Sequence, residues 1–225
     1  MSGQHALRGF LDKWHARWPE WAVGMVFVPE AQRETTAAWL ALRDELAEAA
    51  WGFSDARPGE AKLAWWTEEL AGWSKGARRH PLGIALEQQP AAWGALGDSL
   101  SALAAARGVG SIGSAVAAVQ PFVAVAADVA RELFGGPGEA GAADAEAVSL
   151  LAERLLREAG EAEAGDVAAA AAGLLAAWPA RKHGPRPIRI HRAYVHRRLQ
   201  RLAAGKASRP GRFASLFDAW RAARG

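Results

Sequence analysis

The chain has no cysteine, which excludes disulfides and thiolate metal sites and fits a reducing compartment. β-Branched residues are scarce and no segment alternates apolar and polar positions with period two, so nothing predicts a strand. No apolar run approaches the ~18–20 residues that a membrane-crossing helix needs, because Arg, Asp, Glu or Gly interrupts each one. The opening MSGQHALRGFLDKWHARW lacks the uninterrupted apolar centre of a secretory signal. A cytoplasmic protein is the expectation, with a peripheral position at a membrane as its variant.

What the chain does have is alanine, leucine and tryptophan. Of its 225 residues 51% are hydrophobic and 23% charged, enough to bury a substantial core in one domain. Nine of the eleven tryptophans precede residue 94. They either line a cavity for a long apolar chain or form core and helix-packing contacts. The net charge of +3 hides an asymmetry: residues 181–225 carry 13 Lys/Arg against one acid, Asp218, whereas residues 1–180 carry 14 against 23. An acidic helical body (1–180) therefore bears a basic linker and two C-terminal helices (181–225) expected to pack on the same domain. Such an end meets phosphates, an anionic membrane surface, or the acidic face of its own body.

The periodicity predicts an all-α bundle of about nine helices. They are 4–18, 31–53, 60–77, one or two within 83–107, 114–134 with Pro121 in its second turn, 144–159, 166–178, 188–204 and 210–224. In the second, Trp39, Leu42, Leu46, Ala50 and Phe53 form one stripe. The segment 179–187 (PARKHGPRP) reads as a linker.

The stretch Lys62–Leu82, KLAWWTEELAGWSKGARRHPL, concentrates the unusual residues. Trp66, Leu70 and Trp73 recur at i, i+4, i+7 on one helical stripe, leaving Glu68, Glu69 and Lys75 toward water or a cavity. Pro81 is expected to end this helix, and Arg78 and Arg79 would suit its last turn. The run resembles the squalene/phytoene synthase family, whose members carry a similar tryptophan pair, Glu-Leu and His-Pro. Phe27-Val28-Pro29 followed by Arg33 resembles that family's opening segment, and the likeness covers roughly residues 27–86. It implies the isoprenoid synthase fold, a helical bundle around a central cavity, and two aspartate-rich motifs that hold a prenyl diphosphate through Mg²⁺. Magnesium takes oxygen ligands, so such motifs place carboxylates one turn apart on facing helices.

Here the chain departs from the family. The first motif should lie in the second helix, where Asp44, Glu45 and Glu48 share a face. In the register set by the tryptophans, however, the expected aspartates fall at Ala49 and Phe53. For the second, Leu155-Leu156-Arg157-Glu158 is similar to the family's Ile-Leu-Arg-Asp, with Glu for Asp and Ala162 where a partner carboxylate should stand. The family's following Gly-Arg-x-Tyr-Leu-Pro segment is missing. Both motifs are degenerate. The candidates are thus Asp44, Glu45, Glu48 and Glu158 for catalysis, and Asp44, Glu48 and Glu158 for Mg²⁺. Arg33, Arg157, Trp65 and Trp66 are the candidates for a prenyl substrate.

Other motifs carry less. Gly108–Gly113 matches G-x-G-x-x-G but follows a helical segment rather than a strand, which excludes a dinucleotide fold. The histidines His80, His183, His191 and His196 have no acid or cysteine beside them in sequence, so zinc is not expected. No serine sits in a nucleophile elbow. In the basic tail, Ile188, Val195, Leu199 and Leu202 form a stripe, with Arg189, Arg192, Arg197, Arg198 and Arg201 on the other sides. This predicts packing on the bundle with an exposed arginine face, or contact with an anionic membrane. Nucleic acid is disfavoured, because only Tyr194 is available there for base stacking. Three functions follow as expectations. The favoured one is a divergent squalene/phytoene synthase-like protein without prenyl-transfer activity, acting as an isoprenoid/lipid-binding or assembly-type protein. The others are an active Mg²⁺-dependent head-to-head prenyltransferase of terpenoid biosynthesis, and an anionic-surface or nucleic-acid binder working through Arg181–Arg224.

Overall fold

A computed structural model describes residues 2–136, 138–159, 164–180 and 183–224. Among them every regular element is helical. The long helices are α1 (Ser2–Arg17), α3 (Arg33–Trp51), α4 (Ala56–Trp73), α8 (Ile112–Phe134), α9 (Ala142–Glu158), α10 (Ala164–Ala176), α11 (Arg186–Ala203) and α12 (Arg212–Ala223). Short pieces are α2 (Trp21–Gly24), α5 (Gly83–Leu86), α6 (Trp93–Asp98) and α7 (Ser101–Ala105), with 3₁₀ turns at Met25–Phe27 and Glu30–Gln32. Each of the nine expected helices has a counterpart, and the all-α class stands.

Several boundaries differ from the sequence expectation, each for a local reason. Asp55 caps α4 by accepting the Arg57 amide, so the helix starts at Ala56 and Pro58 falls in its first turn, where a missing amide costs nothing. That helix ends at Trp73, not at Pro81. Gly76 (φ 73°) turns the chain left-handed and the Ala77 amide bonds back to the Gly72 carbonyl. Arg78 and Arg79 therefore lie in the following loop. The 83–107 region breaks into three short helices around Pro90 rather than one or two. Phe53 drops out of its predicted stripe, being beyond the end of α3 and 37% exposed. Gly108–Gly113 leads into α8, where Ser111 caps the helix by accepting the Ser114 amide.

By length and composition α8 could cross a bilayer, contrary to the expectation that no run is long and apolar enough. Its buried face (Val119, Phe122, Val123, Ala126, Val129) packs on α9, α7 and α6, although only 28% of its most apolar window is buried in the protein.

The core has two aromatic centres within one continuous cluster. Trp39, Trp93, Trp73 and Trp66 follow one another at centroid distances of 5.3–6.4 Å, joining α3, α6 and α4. Trp14, Trp18 and Trp21 surround Tyr194 and His191 of α11. The C-terminal helices thus close over the N-terminal ones: α11 packs on α8, α9 and α10, and α12 on α2 and α11.

Candidate functional site

The candidate acidic face lies on the middle of α3, and cations occupy it. Arg17 of α1 donates to both oxygens of Asp44 at 2.8 Å, and Arg157 of α9 reaches the same carboxylate at 2.7 Å. Glu45 accepts from Lys13 at 2.9 Å and Lys62 at 3.5 Å. Glu48 pairs with Lys13 at 3.1 Å and Arg17 at 3.8 Å. Burial acts to raise the Glu48 carboxyl, but the Lys13, Lys62 and Arg17 charges together bring it below its ordinary value. Three carboxylates thus meet four cations, so a divalent ion would enter a cluster that already has surplus positive charge. These residues do not fit Mg²⁺ as they stand.

Glu158 does not join them. It bonds Arg154 one turn back at 2.8 Å and is nearly half exposed. The stretch around Ala162 lies outside the described residues. Arg157 does reach the α3 face, whereas Arg33 does not: it sits eleven residues before Asp44 on the same helix, about 16 Å away, and its Nε donates to the Val28 carbonyl. Trp66 is buried in the aromatic stack, and Trp65 packs on Trp66 and His80 under the Arg79 guanidinium. Both rings make packing contacts with His80.

Glu69, expected toward water or a cavity, is 1% exposed. Its carboxylate accepts the Arg79 and His80 amides at 2.7 Å each, the Trp73 indole at 2.8 Å and the Arg79 Nε at 3.0 Å. Burial opposes ionisation, yet these donors hold it below the usual carboxylate range. It is the clamp of the loop after α4.

Sequence reasoning missed the main polar feature, a chain of ion pairs through the middle of the bundle. Arg192 (α11) meets Glu146 (α9) at 2.7 Å, Glu146 meets Arg43 (α3), and Arg43 meets Glu153 (α9) at 3.3 Å. Glu153 then faces His191 Nε2 at 3.4 Å, and the Trp21 indole donates to His191 Nδ1 at 3.3 Å. That donation makes Nδ1 an acceptor and assigns the imidazole proton to Nε2, directed at Glu153. His191 therefore does have an acid beside it, as does His183, 3.3 Å from Glu139. No group of metal-ligating side chains is found among the described residues. Burial acts to raise Glu153, but Arg43, His191 and Arg157 hold it at about 2. Glu146 is likewise held down by Arg43 and Arg192 against burial. Guanidinium groups do not release protons near neutrality, so the chain cannot relay them; it fixes the register of α2, α3, α9 and α11. The signal was present: Glu146, Ser149 and Glu153 recur at i, i+3, i+7, one turn ahead of the segment compared with the second motif.

The arginines of α11 are not an exposed face. Arg198 binds both oxygens of Glu20 at 2.6 Å, Arg197 binds both oxygens of Asp218 at 2.8 Å, and Arg189 and Arg201 donate to backbone carbonyls. Arg198 and Arg192 thus meet acids of the body, Glu20 and Glu146, whereas Arg197, Arg189 and Arg201 find partners within the basic end. Arg181 lies outside the described residues.

A cavity of about 480 Å³ opens between α10, α11 and α12. Leu175 and Trp178 form its apolar side, and His183, Arg189, Arg192 and His196 its basic side. Its one acid, Asp218, is taken by Arg197. His196 packs against Trp178 with ring centroids 4.9 Å apart and planes tilted by 46°, and burial, then Arg197 and Arg221, keep its pKa below the ordinary histidine value. Arg192 is paired with Glu146, and Arg189 donates to the Gly184 and Ala222 carbonyls, so both cavity guanidinium groups already have partners within the chain. Comparison with family models, with curated proteins and with solved structures finds no match for this chain.

Proposed function

We propose that this chain is a squalene/phytoene synthase-like helical protein, of the isoprenoid synthase fold, that binds an isoprenoid or other anionic lipid without transferring it. The observation that carries the non-catalytic half is the occupation of Asp44, Glu45 and Glu48 by Lys13, Arg17, Lys62 and Arg157. A metal-bridged diphosphate needs those carboxylates free. The binding half rests on the cavity between α10, α11 and α12, whose lining combines apolar residues with basic ones. In this reading the family's central site has become a set of internal ion pairs, and ligand recognition has moved to the C-terminal helices.

Calorimetric titration with farnesyl diphosphate, with and without Mg²⁺, tests both halves. The expected result is binding that does not require Mg²⁺, is weakened about tenfold or more by Trp178→Ala, and is unchanged by Glu48→Ala. Binding that needs Mg²⁺ and is lost in Glu48→Ala overturns the non-catalytic half. No binding under either condition overturns the ligand half.

A further inference from the structure

Helix α12 carries the largest exposed apolar side chains of the described residues. Phe213 (90% exposed), Leu216, Phe217 (54%) and Trp220 recur at i, i+3, i+4, i+7, so they form one stripe. Ser215, Asp218, Ala219 and Ala222 occupy the opposite side and are buried where α12 packs on α11 and α2. The helix is thus firmly seated, and its aromatic stripe is a surface rather than a loose end. Val26, 65% exposed, continues the stripe across a shallow depression of about 490 Å³ that it shares with Trp220.

Charge around the stripe is predominantly positive. Lys206, Arg209 and Arg212 precede or flank it and are exposed. Arg33, Arg186 and Arg224 line the depression, with Glu30 as its one acid. The Arg224 guanidinium lies 4.3 Å over the Trp220 ring. The single acid of α12, Asp218, is turned inward and neutralised by two bonds from Arg197.

We infer that α12, with the Val26–Trp220 depression, docks the protein onto an anionic membrane surface. Bulky apolar chains on a convex helix sink to the headgroup boundary while the surrounding guanidinium groups meet lipid phosphates. An indole with an arginine stacked on it is amphipathic at the depth where such a helix rests. A protein partner would have to be apolar opposite the stripe and acidic on every side of it. A phosphate-bearing lipid surface meets both demands by its nature. The inference goes beyond the proposed ligand cavity and does not depend on it, because Val26, Phe213, Leu216, Phe217 and Trp220 do not line that cavity.

The test is co-sedimentation of the full chain with vesicles of phosphatidylglycerol mixed with phosphatidylcholine, and with phosphatidylcholine alone. Binding to the anionic vesicles is expected, at least tenfold weaker to the neutral ones, and falling as salt rises from 0.1 to 0.5 M. Phe213→Ser/Phe217→Ser should weaken partitioning by on the order of fiftyfold. Arg212→Glu/Arg224→Glu should abolish the preference for anionic lipid. These positions are exposed, so thermal melts of the variants should match the parent, and a variant that melts early is replaced by Phe213→Gln alone. Equal partitioning of parent and Phe213→Ser/Phe217→Ser overturns the inference. So does absence of binding to anionic vesicles. Self-association of the parent without lipid, abolished by the same double variant, overturns it in favour of a second copy as the occupant.

Discussion

Replacing Arg43 by methionine removes one cation that serves two buried carboxylates. Arg43 is 2% exposed and bonds Glu146 and Glu153. After the change Glu146 keeps Arg192, and Glu153 keeps Ser149 at 3.2 Å and His191 at 3.4 Å. Breaking a buried ion pair from one side costs about 3–5 kcal/mol, because the surviving charge stays out of water. With half of each carboxylate's support retained, we expect about 4 kcal/mol. For a chain of this size that lowers Tm by roughly 8–16 °C. Neutralising the stranded partner should return part of the loss, so Arg43→Met/Glu153→Gln should be about 1–2 kcal/mol more stable than Arg43→Met alone. Urea unfolding followed by tryptophan fluorescence measures all three proteins. Acid gives a second reading. Glu153 in the folded state is held at about 2, below its ordinary 4.5, so its contribution is complete above about 4.5 and is lost as pH falls through 2. That contribution is of order 3 kcal/mol. In Arg43→Met the carboxyl rises and the acid limb should move to higher pH. An Arg43→Met protein within 1 kcal/mol of the parent, or a double variant no better than the single, would refute the reasoning.

Two further predictions concern packing and pH. A Cβ at Gly24 would collide with the Tyr194 hydroxyl, so Gly24→Ala should cost about 2–3 kcal/mol. That hydroxyl is buried with no hydrogen-bond partner among the described residues, so Tyr194→Phe should fall within about 1 kcal/mol of the parent and should reduce the cost of Gly24→Ala in a double-mutant cycle. His80 packs against Phe10 and Trp66 at 4.5 Å and accepts the Leu82 amide through Nδ1. Burial holds its pKa at about 4 rather than 6.5. Because the folded value is the lower one, the contribution is complete above pH 6.5 and is lost as pH falls toward 4. It amounts to at most about 2 kcal/mol once solvent screening of the half-buried ring is allowed for. Stability measured from pH 7.5 to 4.5 should therefore fall more in the parent than in His80→Phe.

Helix existence was legible because helical periodicity is a local property: Trp66, Leu70 and Trp73 identify their buried stripe without reference to the rest of the chain. Ends were less legible where a distant or left-handed group decides them. Nothing local announces that Glu69 gathers the Arg79 and His80 amides, or that Gly76 rather than Pro81 stops α4. The acidic face of α3 could be read, but the partners that neutralise it could not. Lys13 and Arg17 approach from 27–35 positions earlier and Arg157 from 113 later. The same holds for the arginines of α11. Their spacing marks an amphipathic helix, yet only tertiary packing shows that Arg192 and Arg198 point into the body, toward Glu146 and Glu20.

The bond from Arg198 to Glu20 joins residues 178 positions apart, and Arg198 also lies 4.1 Å over the Trp18 ring. During synthesis at about 5–20 residues per second, Glu20, Trp18 and Trp21 wait roughly 9–36 s for the helix that covers them. Through that interval the growing chain exposes two indoles and a carboxylate that will later be desolvated, a surface suited to a holding chaperone. A ribosome stalled before residue 198 would present the same surface indefinitely. For this molecule α11 and α12 are a lid on the first helices, and the emergence of α11 from the ribosome is the step that allows the core to close.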